Sequence, residues 1–175
     1  MTEPASSSAA LPIAYLTLRT LIVLNWLMGA AIIVLLVFLP TEEWIMSSLD
    51  LFPGPEADRI IMGLRAIAVL GVAATPLNYA FLNELLEIIG TLRAGDPFVA
   101  SNARRLQIIA WALLCLQLLS VIIGGIAKHV STPEHPLRID AGFSIGGWLA
   151  VLLAFLLARV FAEGAMMRED LVGMV

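Results

Sequence analysis

The chain has 175 residues, 60% of them hydrophobic and 14% charged, with a mean hydropathy of +0.94 and a net charge of −4. Soluble domains average about 45–50% apolar and about 25% charged residues, so these proportions exclude a water-soluble globule, and the negative balance excludes a basic nucleic-acid-binding face. The single cysteine, Cys115, excludes an intrachain disulfide and, lying in an apolar run, reads as a small buried hydrophobe.

From the N-terminus, residues 1–11 are rich in Ser, Ala and Pro and predict a disordered tail. Residues 12–175 then form one all-α domain, an integral membrane bundle of four transmembrane helices. Arg19 precedes an apolar run broken only by Asn25, which predicts a first span over 20–39, since roughly 20 helical residues cross about 30 Å of hydrocarbon. Gly29-Ala30-Ala31 falls in the middle of that run, so the segment reads as a retained helix rather than a cleaved signal peptide. Pro40 ends it. Thr41 is a candidate N-cap with Glu42 and Glu43 in the first turn. Trp44, Ile45, Leu49 and Phe52 then share one face, as an interfacial helix requires, until Pro53-Gly54-Pro55 breaks it.

The second span is predicted over 60–82. Beyond it Leu82, Leu85, Leu86, Ile89 and Leu92 keep helical spacing while Asn83, Glu84, Glu87 and Arg93 take the other side, so the helix continues out of the bilayer as an amphipathic extension. Gly95-Asp96-Pro97 stops it. Ser101 or Asn102 is a suitable N-cap for a third span over 106–127. A polar loop from His129 to Asp140 leads to the fourth span, 142–161, followed by a short helical tail over 162–175. Pro76 predicts a kink in the second span, with Asn78 at hand for the freed backbone. Asn25 and Gln117 read as interhelical hydrogen-bond donors.

Orientation follows Lys and Arg near the helix ends. Arg19, Arg93, Arg104, Arg105, Arg159 and Arg168 lie on one side, against Arg59, Arg65, Lys128 and Arg138 on the other. This bias places both termini and the middle connector in the cytoplasm. In the fourth span Gly142, Gly146, Ala150, Ala154, Ala158 and Ala162 recur at every fourth position. Such a stripe admits a close neighbour, either a second copy in a homodimer or another helix of the same bundle. Arg65 is the cation placed deepest in a span; it reads as an internal ion pair or anion site with Glu56 or Asp140, or as a side chain that snorkels to the headgroups.

No acid lies deep in any span, so no proton relay is visible. His129 and His135 flank Thr132-Pro133-Glu134 without further ligands at metal spacing. No nucleophile–base pair or phosphate-cradling loop is apparent. The expectation is therefore a protein that is not an enzyme and holds no cofactor or metal. Trp26, Trp44, Trp111 and Trp148 read as interfacial or packing aromatics.

Two stretches carry a family resemblance. The connector runs Gly95-Asp96-Pro97-Phe98-Val99-Ala100-Ser101-Asn102-Ala103-Arg104-Arg105-Leu106, and the C-terminal end runs Ala158-Arg159-Val160-Phe161-Ala162-Glu163-Gly164-Ala165, then Arg168-Glu169-Asp170-Leu171. At this separation they resemble the bacterial four-helix membrane family called domain of unknown function 2975. The chain departs from that family near Val172 and Met174, where members often carry an acid and a threonine. The resemblance implies four spans in the bacterial inner membrane. Because many members are encoded beside a small helix-turn-helix transcription regulator, it also implies a membrane partner or inhibitor of such a regulator. The residues offered to a cytoplasmic partner are Glu84, Glu87, Arg93, Arg104, Arg105, Arg168, Glu169 and Asp170. The alternative is a small transport or permeability component that acts as an oligomer.

Overall fold

The computed structural model describes residues 6–38, 54–95, 99–132, 139 and 141–172. The interfacial helix expected around Trp44, together with Pro40, Asp96, Pro97, Glu134, His135, Arg138 and Asp140, lies outside the described residues. Within them the chain is all-helical: α1 (Ser6–Phe38), α2 (Pro55–Arg93), α3 (Ala100–Val130) and α4 (Ile145–Val172). All four are long and apolar enough to cross a membrane. The chain is a multi-pass membrane protein.

Helix ends show how local chemistry sets the boundaries. α1 begins at Ser6, so residues 6–11, expected as tail, are helical, and Pro12 sits inside the helix. A proline so near the N-terminus removes one backbone bond, and the unbroken run that follows carries the helix. At the other end of the hairpin Gly95, with φ +84°, ends α2 in the left-handed conformation that a side chain disfavours. α3 starts two or three residues earlier than the Ser101 or Asn102 cap predicts; its N-cap is Val99, which makes no side-chain cap bond. Asn102 instead lies inside the first turn and spends its amide on other partners. α4 starts at Ile145 rather than Gly142, because Ser144 caps it: the Gly147 N–H donates to Ser144 Oγ at 3.2 Å. Its helix then continues without interruption as far as Val172, through the described part of the segment expected as a short helical tail.

Packing follows chain order. α1 lies on α2, α2 on α3 and α3 on α4, and among the described residues α1 touches neither α3 nor α4. The bundle is therefore open. Its small core centres on Ile109, Ala110 and Ala154, covered by Phe81, Leu85, Ile88, Leu106, Leu113 and Phe155. Around it, large apolar side chains face outward: Leu24 is 53% exposed, Leu118 49% and Leu152 65%. In water such a surface would be an aggregation site; in hydrocarbon it is the required solvent-facing surface. Cys115, expected to be buried, is among the exposed residues of α3. Where outside and inside are both apolar, an apolar run does not say which face is covered.

Close approach uses particular glycines. A Cβ at Gly29 would lie 2.7 Å from Thr75 Cγ2, so α1 meets α2 there nearly backbone to side chain. One turn of α1 earlier, the Asn25 side-chain amide donates to the Thr75 carbonyl at 3.0 Å, beside Pro76. Asn25 is thus the interhelical donor that the sequence predicts, and it is this amide from α1 that reaches the backbone next to the proline. Trp26 packs on Tyr79 at 5.6 Å between ring centroids.

Candidate functional site

The ends of the helices sort the charged side chains into two groups. Tyr15 near the start of α1 lies under the Arg93 guanidinium at the end of α2, 5.3 Å from ring centroid to charge centre. Arg104 at the start of α3 and Arg159 late in α4 line one groove. Arg93, Arg104, Arg105 and Arg159 therefore share one end of the bundle. At the opposite end Arg59 and His129 line a second groove with Met62, Gly63, Ala66 and Val130. Arg65 is exposed on the same outer part of α2.

At the first end, α2 and α3 are fastened by a polar clamp. Asn102 is fully buried. Its Nδ2 donates to Thr91 Oγ1 at 2.7 Å, and Thr91 in turn donates to the Ile88 carbonyl at 2.8 Å. Its Oδ1 accepts from Arg105 Nη1 at 3.0 Å. Arg105 also donates to Glu87 Oε2 at 3.3 Å and stands 3.9 Å from Glu84. The α2 residues sit at positions 84, 87, 88 and 91, one helical face, while Asn102 and Arg105 are three apart on α3. These partners thus fall on the seam. A buried amide without partners would be costly; here both of its ends are met.

The sequence-predicted contact residues divide accordingly. Glu84, Glu87 and Arg105 are brought together, but Glu84 and Arg105 have most of their side chains withdrawn into the clamp, and Glu87 remains half exposed. Arg93 and Arg104 are exposed. Arg168, Glu169 and Asp170 lie in the last turns of α4, and their side chains are outside the described residues. Asn102, nominated only as a cap, and Thr91, not nominated at all, turn out to be central. Their i, i+3 and i, i+7 relations to Arg105 and Glu84 were the available signal.

The small-residue stripe is not one face. Four residues advance a helix by about 400°, so each step drifts by about 40°. Gly142 lies outside α4, its backbone N–H and carbonyl bonded to Ser120 Oγ at 3.1 and 3.3 Å. Gly146 and Ala150 are exposed, and Ala162 is half-buried. Ala154 and Ala158 are buried, together with Val151 and Ala165. The covered face of α4 follows true helical spacing and faces α3. At its outer end, Gly147 presses against the Gln117 amide. Gln117 Nε2 and Trp148 Nε1 are both buried without a hydrogen-bond partner among the described residues, where the interhelical role expected for the Gln117 donor is therefore not seen.

No group of three or more His, Cys, Asp or Glu with the geometry to hold a metal occurs among the described residues. What the site offers is charge, hydrogen bonding and shape.

Residues 53–172 match the family model described as protein of unknown function (DUF2975). The chain belongs to the DUF2975 family. The DUF2975 match takes in α2, α3 and α4, hence the whole clamp, both stretches that carry the resemblance and the Arg104–Arg159 groove; α1 precedes it. No curated protein and no solved structure matches the chain.

Proposed function

We propose that this DUF2975 protein is a non-enzymatic membrane partner of a soluble protein, docking it at the end of the bundle that carries Arg93, Arg104 and Arg105. The carrying observation is the braced extension of α2. That helix runs for 39 residues, about 58 Å at 1.5 Å per residue, whereas the hydrocarbon is about 30 Å thick. Its last turns carry Glu84, Glu87 and Arg93; the clamp to Asn102 and Arg105 holds Glu84, Glu87 and Thr91 against α3, and Arg93 lies over Tyr15 of α1. A helix pair fixed outside the bilayer presents a rigid surface, so little ordering entropy is lost when a partner docks. The lysine and arginine bias puts this end in the cytoplasm of a bacterial inner membrane. The family resemblance supports a small helix-turn-helix regulator as the partner, held or inhibited there.

The test is co-purification of tagged protein from gently solubilised membranes. Enrichment of a helix-turn-helix protein, reduced by Arg93→Glu with Arg104→Glu, is the expected result. Membranes that never yield such a partner, at native expression of both proteins, would overturn the proposal.

The open packing favours a second reading, an oligomeric transport or permeability component. α1 and α4 do not touch among the described residues, and Gly146 and Ala150 on α4 are exposed, so a second copy has a small-residue surface to meet. Liposome flux through the purified protein that is lost with Arg65→Ala supports this reading; inert liposomes remove it.

A further inference from the structure

We propose that the groove between the start of α3 and the late part of α4 binds the headgroup of an anionic phospholipid, whose chain runs down the outer face of α3. The groove holds about 340 Å³ and is lined by Arg104, Gln107, Phe155, Arg159 and three alanines, Ala103, Ala158 and Ala162. Two guanidinium groups thus reach one space from different helices, with a neutral amide between them. The alanines keep the space open, since any longer side chain at those positions would enter it.

The charge fits a phosphodiester. Arg159 Nε donates to Glu163 Oε1 at 2.6 Å, which neutralises one positive charge but leaves the other guanidinium N–H groups to a ligand. Arg104, Arg159 and Glu163 together carry one net positive charge, against the single negative charge of a phosphodiester. Arginine suits this role because its fork of donors matches phosphate oxygens. Groups of like charge otherwise keep apart, and these two line the same space with Glu163 bonded to one of them.

The surroundings select a lipid over a soluble phosphate. Arg104, Gln107, Trp111, Cys115, Leu118 and Ile122 are all exposed and recur at helical spacing, so one strip of α3 is charged at its end and apolar below it. Below the groove Trp111 meets Phe155 edge to face at 5.4 Å between centroids, making an aromatic floor at the depth where a glycerol backbone gives way to acyl chain. This arrangement also gives the two arginines a role that does not depend on any soluble partner.

The experiment uses the full chain in dodecyl maltoside micelles, titrated with brominated phosphatidylglycerol or brominated phosphatidylcholine. It is read by tryptophan quenching and, on the same samples, by native mass spectrometry of retained lipid. Phosphatidylglycerol should quench saturably at a concentration at least tenfold below phosphatidylcholine. Arg104→Gln and Arg159→Gln should each erase most of that preference, and Arg104→Lys should retain part of it. Helical circular dichroism of each variant shows that the fold survives. A variant carrying Trp111→Phe should lose the selective part of the quenching while still retaining lipid in the mass spectrum. Equal response to the two lipids, or an undiminished preference in both glutamine variants, would overturn the proposal. So would competition by millimolar glycerol phosphate, which would assign the groove to a soluble phosphate compound.

Discussion

Replacing Asn102 by alanine should unfasten α2 from α3 without disturbing the apolar seam below. The buried amide donates to the neutral Thr91 hydroxyl at 2.7 Å and accepts from the Arg105 guanidinium at 3.0 Å. A neutral bond contributes about 0.5–1.5 kcal/mol net and one to a charged partner about 1.5–3 kcal/mol. Thr91 keeps its bond to the Ile88 carbonyl, and Arg105 keeps Glu87 at 3.3 Å, so neither partner is stranded and the lower part of each range applies. Asn102→Ala should therefore destabilise the protein by about 2–3 kcal/mol, the small void included. Unfolding by denaturing detergent, followed by circular dichroism, measures this. A double-mutant cycle with Thr91→Val should return a coupling of about 1 kcal/mol. A loss below about 0.5 kcal/mol, or strict additivity with Thr91→Val, would refute the clamp as described.

Two other substitutions probe the seams. Gly29→Val should separate α1 from α2, because the added carbons enter the space of Thr75. Overpacking of this kind costs about 1–3 kcal/mol, and since among the described residues α1 packs on α2 alone, limited proteolysis should release α1 while α2–α4 stay resistant. Unchanged protection of α1 would contradict the contact. Gln117→Leu removes a buried amide whose Nε2 has no partner, so stability should hold within about 1 kcal/mol or rise. A loss above about 2 kcal/mol in the same detergent titration would show that the amide is satisfied after all.

The apolar runs made the four helices legible, because a continuous apolar run of about 20 residues fits a bilayer as a helix, which satisfies its own backbone groups in hydrocarbon. Polarity also made the α2 extension legible, since Glu84, Glu87 and Arg93 appear at helical spacing only where the helix leaves lipid. The packing order was not legible. A soluble helix shows its buried face by contrast with a polar one; α1 is apolar all round, and only Asn25 and Gly29 marked the side that meets α2. The every-fourth stripe of α4 misled for the reason that four residues overshoot a turn, and Ala154 and Ala158 alone remain on the seam with α3. Cys115 followed the same logic: its neighbours are apolar, but it faces outward. In the clamp, Glu84 and Arg105 looked like free surface charge because they lie on different helices, Glu84 on α2 and Arg105 with Asn102 on α3, and a short polar residue near a helix start suggests a cap first.

Side-specific cysteine labelling at both ends of α2 and of α3 tests most directly whether these helices cross a lipid bilayer. In a Cys115→Ser background, single cysteines are introduced by Glu56→Cys, Ala94→Cys, His129→Cys and Arg104→Cys, and intact cells are treated with a membrane-impermeant maleimide. Glu56→Cys and His129→Cys should react from one side of the membrane, and Ala94→Cys and Arg104→Cys only from the other, while Cys115 in the unsubstituted protein, labelled in parallel, stays unreactive from either side until detergent is added. Labelling of all four from the same side, or of Cys115 in intact membranes, would contradict the four-span account.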